Sequence, residues 1–236
     1  MFGFFNSRKS LVESGLMNGF VDNHSHILFG VDDGVKTLEE SLGILDYMEK
    51  AGVHKVWLTP HIMEDVPNTT EFLRKRFEEL KSAYHGGLEL SLASENMIDT
   101  LFVERMKQKD FLLHDDNKLL VETSTWSAPM DFWDIIDSLV VSGYTPIIAH
   151  PERYRYMTMA DYERLHDMGA LLQLNIPSIL GVYGEEVAHK SEALLEKGLY
   201  SMTGTDCHRF RALEGQVTCK ILSKNVIARL AQIMNK

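Results

Sequence analysis

Seven short runs of apolar and β-branched residues recur along the chain, at residues 20–27, 55–61, 88–95, 119–123, 145–150, 170–175 and 200–206. Their starts lie 25 to 35 residues apart, about one β/α unit each. Some are almost solidly apolar, as in Leu119-Leu120-Val121 and Ile147-Ile148-Ala149. That pattern suits parallel strands covered on both faces. Helical patterns fill the intervals. Thr37 followed by Glu40 reads as a capping box opening a helix whose apolar face is Leu42, Leu45, Tyr47 and Met48. Gly52, Gly143, Gly169 and Gly198 are placed to end helices just before the next strand. Pro129 suits the first turn of a helix through Phe132, Ile135 and Leu139. Repeated β/α units predict either a doubly wound sheet or a barrel, and strand pattern alone does not choose.

The polar residues ending the strands do choose. The first run ends His24-Ser25-His26, the second Thr59-Pro60-His61 and the third Ser94-Glu95-Asn96. The fourth ends Val121-Glu122-Thr123, the fifth Ala149-His150-Pro151 and the seventh Thr205-Asp206-Cys207-His208. Only the sixth, offering Asn175, carries no His, Asp or Glu there. An open sheet would spread these groups across its width, whereas a closed parallel barrel gathers them on one face. The expectation is therefore an α/β barrel of seven strands. Residues 1–19 read as an N-terminal extension and 20–236 as a single domain, since no linker or low-complexity tract divides the chain.

Taken alone, His24-x-His26 is weak, because two histidines at a strand end arise by chance. The set is stronger: His24, His26, Asp33, His61, Glu95, Glu122, His150, Asp206 and His208. Gathering five imidazoles and four carboxylates without a cation would cost many kcal/mol. Mixed imidazole and carboxylate donors suit first-row ions such as Mn, Fe or Zn rather than Ca. Nine ligands exceed the needs of one ion and fit three if a carboxylate bridges. Three divalent ions would outweigh four carboxylates by roughly two charges, leaving a locally cationic site.

Composition narrows the classes further. The chain has 236 residues, 44% apolar and 25% charged, which is ordinary for a globular protein. Its formal net charge of -10 argues against nucleic acid or an anionic membrane as partner. No apolar run approaches the length of a membrane span, and the start does not read as a signal peptide. Two cysteines, Cys207 and Cys219, make no disulfide framework, so a cytoplasmic location is expected. Thiol-dependent tyrosine phosphatases need Cys-x5-Arg, yet six residues after Cys207 is Leu213 and six after Cys219 is Asn225. His54, His85, His114, His166 and His189 fall between strands and are expected at the surface, while Tyr154, Tyr156, Trp126 and Trp133 could line a groove for a phenyl ring.

His24-x-His26, the loop Gly30-Val31-Asp32-Asp33-Gly34, Thr59-Pro60-His61 and His150-Pro151-Glu152-Arg153-Tyr154 resemble the PHP (polymerase and histidinol phosphatase) superfamily. More closely, they resemble its bacterial protein tyrosine phosphatases of the CpsB/CapC type, over about residues 20–210. The resemblance implies a distorted seven-stranded barrel holding three divalent ions, Mn foremost, with Fe or Zn also compatible. It implies a first site of His24, His26, Glu95 and Asp206, a second of Glu95 as bridge with Glu122 and His150, and a third of Asp33, His61 and His208, with Asp33 preferred to the adjacent Asp32 by its spacing from His24. Arg153 matches the family's phosphate-binding arginine, and a second arginine would be Arg209 or Arg211. The implied activity is hydrolysis of phosphotyrosine with no side-chain nucleophile. The implied partner is the phosphorylated tail of a membrane tyrosine autokinase that controls capsule or exopolysaccharide synthesis. The alternative is a phosphoesterase of the same superfamily acting on a small metabolite such as histidinol phosphate.

Overall fold

Pro60 breaks the second apolar run in two, because a residue without an amide hydrogen cannot continue a strand ladder. In the computed structural model, which describes residues 8–115 and 117–235, that run becomes β2 (Val53–Leu58) and β3 (His61–Ile62), after β1 (Phe20–Asp22). The third run divides likewise at Ala93-Ser94, into β4 (Glu89–Leu92) and β5 (Glu95–Met97). Then follow β6 (Lys118–Glu122), β7 (Thr145–Ala149), β8 (Leu171–Asn175) and β9 (Tyr200–Gly204). The seven expected runs thus give nine strands among the described residues, in two all-parallel sheets of order β1-β2-β4 and β3-β5-β6-β7-β8-β9. The fold is mixed α/β with helices between the strands.

Backbone hydrogen bonds join the sheets. Across the two breaks, Ala93 N–H donates to Leu58 C=O at 2.9 Å and Glu95 N–H to Pro60 C=O at 3.1 Å. Beyond β1, His26 N–H donates to Cys207 C=O at 2.9 Å, and Asp206 N–H to His24 C=O at 2.8 Å. The first and last runs therefore lie side by side where they deliver their polar residues.

Thr37 caps the helix Leu38–Ala51 by accepting the Glu40 amide at 3.2 Å. Gly52 ends that helix at φ 101°, a left-handed conformation in which its N–H reaches the Glu49 carbonyl. Pro129 sits before the first turn instead of within it: the helix Phe132–Val141 starts after Asp131, and Pro129 contributes only a carbonyl to the Phe132 amide.

Of the expected extension, residues 1–7 lie outside the described residues. Residues 8–19 pack on the body, with Leu11, Leu16 and Met17 in the apolar core and Lys9 bridged to Leu222. His54, His85, His166 and His189 are exposed as expected, but His114 is buried. A two-way backbone bridge to Lys118 turns the chain inward there, and the ring packs on Trp57 with centroids 4.3 Å apart. Burial pulls its pKa down to about 3, so it is neutral. No described helix is long and apolar enough to cross a membrane.

Candidate metal centre

Strand ends and the segments just beyond them bring all nine residues together. Glu95, at the start of β5, is the hub and is fully buried. Its Oε2 lies 3.1 Å from His24 Nε2, 3.2 Å from His26 Nε2 and 3.1 Å from His61 Nδ1. Its Oε1 lies 2.9 Å from His150 Nε2. Glu122, the last residue of β6, places one oxygen 3.3 Å from His61 Nδ1 and the other 3.5 Å from His150 Nε2. Asp206 Oδ1 lies 3.6 Å from His24 Nε2 and 3.4 Å from His26 Nε2. Asp33, in the loop after the first run, has Oδ1 3.6 Å from His61 Nε2 and 3.4 Å from His208 Nε2.

The backbone is bent to achieve this. His150 (φ 36°) and Asp206 (φ 51°) adopt left-handed conformations, at a cost of order 1–3 kcal/mol each, of the kind that concentrates at functional sites. Gly204 is required by close approach: a Cβ there would stand 2.4 Å from the His24 Cβ.

Among the described residues, three groups of donor atoms are compact enough to hold an ion: His24, His26 and Asp206; His61, Glu95 and Glu122; and His26, Asp33, His61 and His208. The chemistry of the first tests the fit. His24 Nδ1 faces Gln173 Oε1 at 2.8 Å and His26 Nδ1 faces Asp32 Oδ2 at 2.8 Å. Both partners are acceptors, so in the neutral rings both Nδ1 atoms carry the hydrogen and both Nε2 lone pairs point inward. Those two Nε2 atoms are 3.1 Å apart, with two carboxylate oxygens beside them. Lone pairs so placed repel unless a cation lies between them. Donors about 2.1 Å from a common ion stand roughly 3.0–3.4 Å from one another, close to the spacing seen. In the second group, His61 Nδ1 and Glu122 Oε1 are buried yet make no hydrogen bond, which again suits atoms aimed at a shared point. The residues present fit divalent ions.

Electrostatics agree. Burial opposes charge on His24, but Glu95 and Asp206 outweigh it and lift the ring to about 9. Burial would raise the Glu95 carboxyl, yet His24 and His61 hold it well below the usual range. The carboxylates thus demand positive charge, from protons or from metal.

Further contacts support the centre, and of the residues that make them only Gln173 has no signal in the sequence. Asp32 faces inward, where it also accepts the His61 amide at 3.1 Å; burial opposes its charge, but His26 holds it down at about 2. Gln173 projects from β8, and Asn175 at its end donates to Asp206 Oδ2 at 2.9 Å. His208 Nδ1 donates to the Asp206 carbonyl at 2.8 Å, freeing Nε2 to face Asp33. The Gln173–His24 and Asn175–Asp206 contacts join residues far apart in sequence and leave no local pattern, so only the fold reveals them.

Above the centre is a cleft of about 320 Å³, walled by seven of the nine residues with Arg153, Tyr183 and Met63; His24 and His26 are buried beneath it. Arg153 donates to Asp206 Oδ2 at 3.2 Å and lies over the Tyr183 ring at 4.6 Å. Its neighbour Glu152 turns inward instead, accepting from the Asn175 amide and the Tyr200 hydroxyl. Arg209 is exposed at the start of the helix Phe210–Thr218, and neither it nor Arg211 is on the cleft wall. Of the expected aromatic groove, Tyr154 is fully buried, with its hydroxyl accepting the Thr123 amide, and Tyr156 stacks on it. Trp126 and Trp133 lie under Arg155 and Arg164. The ring at the cleft is Tyr183, in a loop whose sequence carries no periodic signal.

Residues 20–226 match the family model described as capsular polysaccharide synthesis, CpsB/CapC. CapC of Staphylococcus aureus is 30% identical over 196 residues, spanning 80% of this chain and 76% of that one. The tyrosine-protein phosphatase CpsB of Streptococcus agalactiae serotype V is 30% identical over 208 residues, spanning 80% and 82%. A solved structure from work on YwqE of Bacillus subtilis and CpsB of Streptococcus pneumoniae, described as metal-dependent tyrosine phosphatases, superposes with a TM-score of 0.76 at 23% identity, covering 92% of this chain and 88% of that one. The chain belongs to the CpsB/CapC family of capsular polysaccharide synthesis.

Proposed function

We propose that this chain is a metal-dependent tyrosine-protein phosphatase. The observation that carries the reading is Glu95, held between four inward-facing imidazoles at 2.9 to 3.2 Å under a cleft that also presents Arg153. Relatives at 30% identity named as tyrosine-protein phosphatases support the same activity. The ligand sets proposed are His24, His26, Glu95 and Asp206 for a first ion; Glu95, Glu122 and His150 for a second; and Asp33, His61 and His208 for a third. His61 turns one ring nitrogen toward Glu122 and the other toward Asp33, so it is the residue on which the second and third sets meet. Mn is the first choice, Fe or Zn the others. We also read the two sheets as one distorted seven-stranded barrel in a single domain over 20–236, which the bonds between residues 24–26 and 206–207 support.

Bound divalent ions supply Lewis acidity toward the phosphoryl oxygens and lower the pKa of water. The chain's own residues do the rest. Gln173 and Asp32 keep the His24 and His26 tautomers whose Nε2 atoms face inward. Arg153 has guanidinium donors left over from its contact with Asp206 to grip phosphoryl oxygens as charge spreads over them. Tyr183 walls the cleft beside it and offers a face to the substrate ring. No thiol takes part: Cys207 is buried, with burial pushing its pKa up, and Cys219 lies on a different cleft. Water is then the nucleophile and no phosphoenzyme forms. A phenolate with a pKa of about 10 leaves without needing a strong acid. The substrate is proposed to be the phosphotyrosine tail of a membrane tyrosine autokinase, met in the cytoplasm.

Substrate comparison tests this. The metal-loaded chain should show kcat/KM on a phosphotyrosine peptide at least about tenfold above that on the matching phosphoserine peptide and on histidinol phosphate. Equal rates on the two peptides would remove the tyrosine claim, and preference for histidinol phosphate would select the small-metabolite reading.

A further inference from the structure

We infer that a second cleft next to the metal centre receives an apolar side chain of the peptide substrate, beside a carboxylate that meets Arg211. The inference rests on the phosphatase reading and adds a recognition site to it. The cleft is about 270 Å³ and is lined by Leu180, Val182, Ala212, Gly215 and Cys219, with Arg211 and Gln216 as its polar members. Tyr183 walls the metal cleft, and the residue before it, Val182, walls this one. The two clefts are therefore separated by a ridge of adjacent residues, whose Cα atoms stand about 3.8 Å apart. Both ridge side chains are unusually open for their type, Val182 at 60% and Tyr183 at 41% exposed. A phosphotyrosine seated against Tyr183 places its flanking residues on this ridge, so a neighbouring side chain reaches the second cleft without leaving the polypeptide's path.

Charge points to the same occupant. Arg211 is exposed, is the one charged residue lining a mostly apolar cleft and has no carboxylate partner among the ion pairs of the described residues. An apolar side chain with an acidic residue beside it satisfies both the cleft wall and the guanidinium. A small substrate such as histidinol phosphate would leave this cleft untouched.

The test uses two phosphotyrosine peptides, one flanked on both sides by Leu and Glu and the other by Ser, with para-nitrophenyl phosphate as a substrate too small to cross the ridge. Wild type should favour the Leu/Glu peptide by about tenfold in kcat/KM, the scale of burying one leucine. Gly215 lies within the helix Phe210–Thr218 on the cleft wall, and a Cβ there meets open space, so Gly215→Phe starts its side chain without a clash and obstructs the cleft. It should collapse the preference to about unity while para-nitrophenyl phosphate turnover persists, and Gly215→Ala should keep the preference. A preference unchanged in Gly215→Phe, or absent from wild type, overturns the inference. A second readout needs no turnover. Cys219 is half-exposed in this cleft and Cys207 is buried, so alkylation reports on Cys219 alone. The Leu/Glu peptide carrying phosphonomethylphenylalanine, which is not hydrolysed, should slow that alkylation severalfold and its Ser counterpart should not. Equal effects of both overturn the inference. Failure of wild type on every phosphate substrate would instead overturn the phosphatase reading, while protection of Cys219 would still report on the cleft.

Discussion

Replacing Glu95 by alanine is expected to reduce activity by at least about 10²–10³-fold and to remove more than one bound ion per chain. Glu95 alone touches four of the imidazoles, two oxygens serving different groups of donors: Oε2 for His24, His26 and His61, and Oε1 for His150. Losing it leaves the remaining donors of two ions without their shared anion. Each ion held at about 100-fold its Kd adds about 2.7 kcal/mol to stability, which in a domain of this size is roughly 5–10 °C in Tm. The melting temperature in Mn should therefore fall by that amount or more. Glu95→Gln keeps the shape but removes the charge and turns one acceptor oxygen into a donor amide, so it separates ligation from packing; it should behave like alanine. Metal content by elemental analysis, Tm and kcat/KM on one preparation decide the matter. A variant with full metal content and unchanged Tm would show that Glu95 is not the bridge.

Arg153→Ala is expected to lose about 10²–10³ in kcat/KM, with metal content and Tm near wild type. The guanidinium is only partly exposed, stands at the cleft wall and spends one donor on Asp206 Oδ2. That contact raises the concern that removing Arg153 would loosen Asp206 and hence an ion. Asn175 answers it, since its side-chain amide holds the same oxygen at 2.9 Å and is unaffected. Arg153→Lys should recover only part of the loss, because an ammonium cannot present the planar fork that matches two phosphoryl oxygens. If activity falls only in proportion to lost metal, Arg153 is a support for Asp206 and the phosphate-binding role should be dropped.

The metal-binding candidates were legible in the sequence because a parallel β/α arrangement converts an order along the chain into a place in space: what ends each strand meets what ends the next. His24, His61, Glu95, Glu122, His150 and Asp206 all lie at the ends of the apolar runs, and the structure brings them within contact of one another, although the breaks in the second and third runs make His61 and Glu95 the first residues of β3 and β5. Asp32 and Asp33 show where the rule stops. They are adjacent in a loop, yet one faces His26 from behind and the other faces His61 and His208 from the cleft. Loop geometry, which no periodicity encodes, makes that division. Gln173 was invisible for a different reason: an uncharged residue inside a strand reads as neutral until the His24 ring is seen against it. His114 is buried against the expectation of a surface position because an isolated bridge to Lys118, not an amphipathic pattern, holds it inward. The strand count rose from seven runs to nine strands because Pro60 and Ala93-Ser94 break pairing without changing the apolar pattern. Arg211 lies on a separate cleft for the same kind of reason, since a helix begins at Phe210 and turns it away from the centre.

The most direct test of metal-dependent phosphotyrosine hydrolysis is one assay of the purified chain on a phosphotyrosine peptide, before chelation, after chelation and after Mn is restored, alongside a Cys207→Ser, Cys219→Ser double variant. The arrangement of imidazoles and carboxylates predicts that chelation abolishes activity, that Mn restores it, and that the variant without thiols keeps most of it. Full activity in the chelated protein, together with loss of activity in the thiol-free variant, would contradict the account.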